Sequence, residues 1–352
     1  MQAAVWIYRL YDIAQEIDLE RAEAILAGAK PVSRLRLSRV GPKSISFKNP
    51  PLTVELDHRN GGPPDLDFPL TVTARIYDLG VVTVLLRVTL PEDHDYEALK
   101  LLAFRLAEPE ALEKVFWSHL QTVWEAVRPA LDGESYQGFV EDFTIFYFRE
   151  WDDTWDPVPL LLSEREEVSA EQRHETLKHR FSYGAEDFTI LNWDTAIVYD
   201  RSGSSDIPDL LEFANAQLLE LRYYDNLLDQ ELERMYDAFE EAEAGTGFRR
   251  LNRYRRIMKD LLQLVADITA ITGRIQNALR VTEDVFYARV YTAQIKVLRI
   301  KEWTDSITQK VEVVERSYSM LSDEIITFRF MVLEAAIVVL IAVEIVIWLA
   351  TL

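Results

Sequence analysis

Six basic side chains, Arg249, Arg250, Arg253, Arg255, Arg256 and Lys259, fall within eleven residues of a chain whose formal net charge is −21. A cluster of this kind can hold phosphate, so its candidate ligands are anionic lipid headgroups or the RNA of a ribosome. The competing assignment is a solvated face that pairs with Glu240, Glu241 and Glu243 across the preceding turn. A second set of ionisable groups lies where none is expected. Glu334 and Glu344 interrupt an apolar run from Phe330 to Leu352 that contains no Lys, Arg, Asn or Gln. As a helix this run reaches about 35 Å, against a hydrocarbon core of roughly 30 Å. At about 100° per residue the two glutamates stand roughly 80° apart, on one side of the helix. An acidic side chain costs about 2.5 to 3.5 kcal/mol at the centre of a bilayer. That side is therefore expected to meet other helices, with Glu344 protonated or hydrogen-bonded. Glu334, Glu344 and Trp348 are the candidate membrane and oligomerisation residues.

Other chemistry is sparse. His58, His94, His119, His174 and His179 are scattered, and His174 and His179 miss the one-face spacing of a helical metal pair. Asp152, Asp153 and Asp156 surround Thr154 and Trp155 without the ligand period or the glycine of a calcium loop. There is no phosphate-binding glycine loop and no nucleophile elbow. The chain has no cysteine, which excludes disulfides, thiol catalysis and cysteine metal sites. No catalytic residue, metal ligand, cofactor or small-molecule substrate is assigned.

Composition then bounds the architecture. The 352 residues, 49% hydrophobic and 28% charged, suit two globular parts. The acidic balance opposes nucleic acid over the surface as a whole, so any phosphate contact must be local. The first residues carry no basic segment followed by an apolar core, the mark of a secretory signal. Lys310, Arg316 and Arg329 precede the apolar run and nothing follows Leu352. A tail anchor is expected, single-pass in the cytoplasmic (inner) membrane with the preceding chain in the cytoplasm.

The expected fold class is an α+β N-terminal domain, 1–205, followed by an all-α antiparallel coiled-coil stalk, 206–329, and one transmembrane helix, 330–352. Within the domain, Ala3–Leu10 reads as a strand and Asp18 as the cap of a helix to Ala27. Thr71–Tyr77 and Val81–Thr89 form a hairpin through Asp78-Leu79-Gly80. Asp93 or Asp95 caps a helix over 96–107, and another covers about 110–131 with Leu112, Phe116, Leu120 and Val127 on one face. Glu141-Asp142-Phe143-Thr144-Ile145 recurs as Glu186-Asp187-Phe188-Thr189-Ile190, which would suit two equivalent strands. In the stalk, Leu211, Ala214, Leu218, Leu228, Leu232 and Met235 keep three-and-four spacing, and comparable stripes run from Leu251 to Leu279 and from Tyr291 to Phe328. From Ala288 onward the heptad-spaced helix is expected to run unbroken into the apolar terminus.

Several stretches resemble the required-for-meiotic-nuclear-division family. They are Asp187–Asp200 (DFTILNWDTAIVYD), Leu211–Asp229 (LEFANAQLLELRYYDNLLD), the pair Phe286-Tyr287, and Leu333-Glu334 with Val343-Glu344-Ile345 near the end. Against that family residues 108–180 look like an insertion, and Ala335 stands where the family has Trp. The resemblance implies a membrane-anchored homo-oligomer linked to translation, tethering ribosomes to the membrane, and brings no catalytic residue. The expected function is a scaffold or tether rather than an enzyme. The alternatives are an oligomeric pore or proton-linked transporter using Glu344, and an enzyme with its site in 108–180.

Overall fold

The computed structural model describes the chain apart from residues 29–30, 36–44, 48, 61–67, 92–93, 109–111, 135–137, 244–247, 278, 282–284 and 352. Its elements run β1 (Ala3–Asp12), β2 (Ala14–Ile17), α1 (Leu19–Leu26), β3 (Val32–Arg34), β4 (Ile45–Phe47), β5 (Leu52–Asn60), β6 (Pro69–Ile76), β7 (Val81–Thr89), α2 (Tyr96–Leu106) and α3 (Glu113–Val127). They continue with β8 (Leu131–Glu134), β9 (Val140–Phe148), α4 (Val158–Leu162), α5 (Ala170–Leu177), β10 (Arg180–Phe181), β11 (Asp187–Leu191) and β12 (Thr195–Asp200). The last part holds α6 (Asp206–Glu243), α7 (Phe248–Asn277), β13 (Leu279–Val281), α8 (Val285–Val297) and α9 (Ile300–Thr351). This is the expected class, an α+β part with a helical part and one long apolar terminal helix.

Nine strands form one sheet in the order β10-β11-β12-β9-β1-β7-β6-β5-β3. All neighbours pair antiparallel except β12 with β9. Because strand side chains alternate, the sheet has two apolar faces, each needing a cover. One face presents Val5, Ile7, Val82, Val84, Leu86 and Phe146 to Leu99 and Leu102 of α2 and Phe116, Leu120, Val123 and Val127 of α3. The three-and-four spacing on α3 is the expected helical stripe. Asp18 caps α1 by accepting from the backbone of Glu20 and Arg21, and Asp95 caps α2 at Ala98. The α3 helix starts at Glu113 without a side-chain cap.

The other face is covered by α6, where the structure departs from the expected stalk. Every residue from Asp206 to Leu221 is buried. Phe213 lies 5.9 Å from the Tyr77 ring, and Ala214 and Leu218 meet Leu298 just past α8. A helix buried all round belongs to a core. The chain accordingly divides into one compact unit of Met1–Tyr223 with Gly273–Trp303, and a second of Tyr224–Thr272 with Thr304–Leu352. The boundary placed at 205 thus falls at the start of a core helix. Residues 108–180 are equally integral, since β9 pairs with both β1 and β12 near the middle of the sheet. The pentapeptide echo does not mark equivalent strands. Phe188 joins the core against α2 and α3, whereas Phe143 lies on the same side of β9 as Tyr147 and Glu141, the α6 side.

The long terminal helix is also broken. The α8 helix ends at Val297 and α9 begins at Ile300, with Arg299 between them at φ 52°. A left-handed backbone costs a side-chain-bearing residue about 1–2 kcal/mol, and glycine adopts it freely at some cost in entropy. Arg299→Gly is expected to raise Tm by about 2 °C in thermal unfolding of the full-length protein. An unchanged or lowered Tm would show that the turn is unstrained.

Candidate membrane helix and basic turn

In the second unit, buried side chains recur every seven residues: Leu228 and Met235 on α6, Tyr254, Leu261 and Ile268 on α7, and Ile307, Val314 and Leu321 on α9. Polar contacts set the register of α6 and α9. Ser306 donates to Asp225 at 2.7 Å, and Lys310 reaches Asp225 at 2.8 Å and Asp229 at 2.7 Å. Burial opposes the charge on Lys310, but the two carboxylates outweigh it and its pKa is raised. The Ser306–Asp225 contact spans 81 positions, and Lys310–Asp229 repeats that offset, so here the two helices run parallel. Carried down both helices, the register places the end of α6 level with Glu324, about 9 Å before Phe330 at 1.5 Å per residue.

Beyond Phe330 the character of α9 changes. Side chains from Phe330 to Leu349 are all exposed, including Glu334, Glu344 and Trp348, and the helix is long and apolar enough to cross a bilayer. Exposure of so large an apolar surface to water is unfavourable at about 25 cal/mol per Å², so it needs a non-aqueous cover. The basic cluster opens α7. Arg253, Arg255, Arg256 and Lys259 are exposed, while Tyr254 and Ile257 between them are buried. The side chains of Arg249, Arg250, Glu241 and Glu243 lie outside the described residues, as does the pairing expected across that turn.

A polar cluster that the sequence did not suggest joins α6 to the sheet. Arg75 of β6 donates to Asp209 at 2.5 Å and to Glu212, with Arg75 8% exposed and both carboxylates fully buried. Tyr8, Tyr77 and Thr83 surround it. Burial drives the pKa of Glu212 up against the pull of Arg75. Burial also opposes the charge on Arg75, but Asp209 and Glu212 hold its pKa above the ordinary value. Asp209 and Glu212, one turn apart beside Leu210, Leu211 and Phe213, were the available signal. Nothing in their spacing names Arg75 as their partner. The acidic loop, by contrast, is closed by local pairing. Asp152 accepts from the backbone and hydroxyl of Thr154, and Asp156 takes both arms of Arg173 at 2.7 and 2.8 Å. Among the described residues no three acidic or histidine side chains converge as a metal site would require.

Together these features define a three-layer α/β/α unit followed by helices, one of which is a candidate membrane span. The chain belongs to the family described as "Uncharacterized protein MJ0711, N-terminal domain", which matches residues 2–206. Uncharacterized protein MJ0711 of Methanocaldococcus jannaschii is 29% identical over 222 residues, covering 60% of this chain and 67% of that protein. No solved structure matches the chain.

Proposed function

We propose that the protein is a membrane-anchored scaffold or tether, assembled as a homo-oligomer through α9 and displaying its α/β/α unit on the cytoplasmic side. The observation that carries this reading is the wholly exposed apolar end of α9. Glu334 and Glu344 favour helix partners over lipid around that segment, which makes self-association the natural cover. The exposed arginines at the start of α7 supply charge for anionic headgroups, at about 1 kcal/mol per charge near the surface. Arg316 and Arg329 before the span favour the cytoplasm for the rest of the chain. A link to translation rests on the sequence resemblance alone.

The test is the mass of the detergent-extracted full-length protein by light scattering, beside that of Glu344→Leu. A discrete oligomer that loses subunits in the variant is expected. A monomer in both cases would sink the homo-oligomeric scaffold.

A further inference from the structure

A cavity of about 550 Å³ opens where the ends of the central strands β1, β7 and β9 meet the turn after β12. Its wall follows from strand register. Ala4 stands between Thr89 of β7 and Tyr147 of β9, and its methyl group leaves the floor low. Two residues on, Trp6 pairs with Arg87. The Arg87 guanidinium lies 3.8 Å over the Trp6 ring, whose plane stacks on Tyr147 at 5.2 Å. Trp6 therefore holds the Arg87 fork flat, and both its faces are occupied. On the far side, the turn through Ser202 and Gly203 folds over Arg149. Gly203 has φ +76°, and a Cβ there would stand 3.2 Å from the Arg149 guanidinium.

The charge balance of this cavity is unusual for the chain. No acidic residue lines it. Among the described residues neither Arg87 nor Arg149 has a carboxylate within ion-pairing distance, although the chain carries 59 acidic residues against 38 basic ones. The Nε of Arg87 is buried without a hydrogen-bond partner. The nearest acidic group in the turn, Asp200, already accepts from the backbone and hydroxyl of Ser202 at 2.8 and 2.7 Å. A half-buried guanidinium that makes no direct ion pair is costly, and an anion bound against it lowers that cost. Burial, the largest influence, pushes the Arg87 pKa down together with Arg75, and Tyr8, Asp209 and Tyr147 pull the other way without overcoming it.

We infer that this cavity is a binding site for a small phosphate-bearing molecule, its phosphate held between Arg87 and Arg149. Planar guanidinium forks match phosphate oxygens in pairs. With both faces of Trp6 filled, recognition is of the oxyanion and not of a stacked ring. All lining residues fall within 2–203, inside the family-matched segment. The site does not depend on the membrane reading.

The test is calorimetric titration of the full-length protein in detergent with inorganic phosphate and with glycerol 3-phosphate. Sodium chloride at matched ionic strength is the control. Saturable binding is expected, weakened at least tenfold by Arg149→Gln, whose side chain is exposed and whose loss leaves the core intact. Arg87→Gln should do the same, and Ala4→Phe should abolish binding by filling the floor while both arginines remain. Arg21→Gln on α1, an exposed arginine away from the cavity, should leave it unchanged. Heats no larger than those of chloride would overturn the inference. So would binding that survives both Arg149→Gln and Ala4→Phe, or that is lost in Arg21→Gln.

Discussion

Replacing Arg75 with methionine is expected to cost about 3–5 kcal/mol of stability, the usual result of removing one member of a buried ion cluster. The guanidinium lies between Asp209 and Glu212, both fully buried on α6, and its loss leaves two carboxylates without a counter-charge inside the sheet–helix interface. At roughly 2–4 °C per kcal/mol, thermal unfolding of the full-length protein should shift down by about 10 °C. The origin of the loss is separable from lost packing. The triple variant Arg75→Met, Asp209→Leu, Glu212→Met removes the charges together and should recover most of the stability, because apolar replacements of a whole buried cluster are often neutral or better. Arg75→Lys should fall between, since an ammonium cannot serve two carboxylates as a planar fork does. A single variant within about 1 kcal/mol of the parent would mean that the cluster is hydrated, as exposed pairs are. The cluster's position explains why α6 serves as core for its first turns and becomes a partner of α9 only beyond Tyr223.

This division shows where sequence reasoning reaches and where it stops. The β6–β7 hairpin was legible because Gly80 closes it at φ 103°, where a Cβ would collide with the Ala14 carbonyl at 1.8 Å. The caps Asp18 and Asp95 and the stripe of α3 are local patterns and were equally legible. The apolar end of α9 declares itself by length and composition. The burial of α6 did not, because its cause is Arg75, 134 positions before Asp209, and periodicity carries no such information. The break at Arg299 was hidden for another reason: it contains neither Gly nor Pro, and the turn lies beside the burial of Leu298 against Ala214 and Leu218. At the candidate site, the glutamates of α9 and the basic cluster of α7 could be read from residue types. The parallel register of α6 against α9 could not, since it rests on Lys310 and Ser306 meeting Asp225 and Asp229.

The second large effect is a reversed pH dependence centred on Asp12. This residue ends β1 on the face turned towards α6 and is 1% exposed. Burial pushes its carboxyl up from 3.8 to about 8, against the backbone N–H of Ala14. Between those two values the folded chain holds a proton that the unfolded chain has released. Stability contributed by neutral Asp12 is therefore complete below pH 3.8 and declines until the group ionises near pH 8. Each unit of that window removes about 1.4 kcal/mol, so roughly 4 kcal/mol is missing at pH 7. Burial raises Glu212, Glu141 and Asp142 as well, in spite of their arginine partners, and these act with the same sign. The repulsion implied by a net charge of −21 also grows as carboxyls ionise. In the other direction stands Asp156, where burial is outweighed by the Arg173 fork and the Val158 N–H, but its pairing is largely exposed and its weight small. The protein should thus be more stable near pH 5 than near pH 8, unlike the many proteins that lose stability on acidification. Asp12→Asn keeps the shape and fixes the side chain neutral. Its unfolding free energy should exceed the parent's by about 4 kcal/mol at pH 7 and converge on it below pH 4, with the slope from pH 4 to 8 correspondingly flattened. Denaturant titrations of both proteins at pH 4, 5, 6, 7 and 8 measure this. Parallel curves would show that Asp12 is ionised in the fold, and would require a counter-charge or water beside β1 that neutralises the cost of burying it.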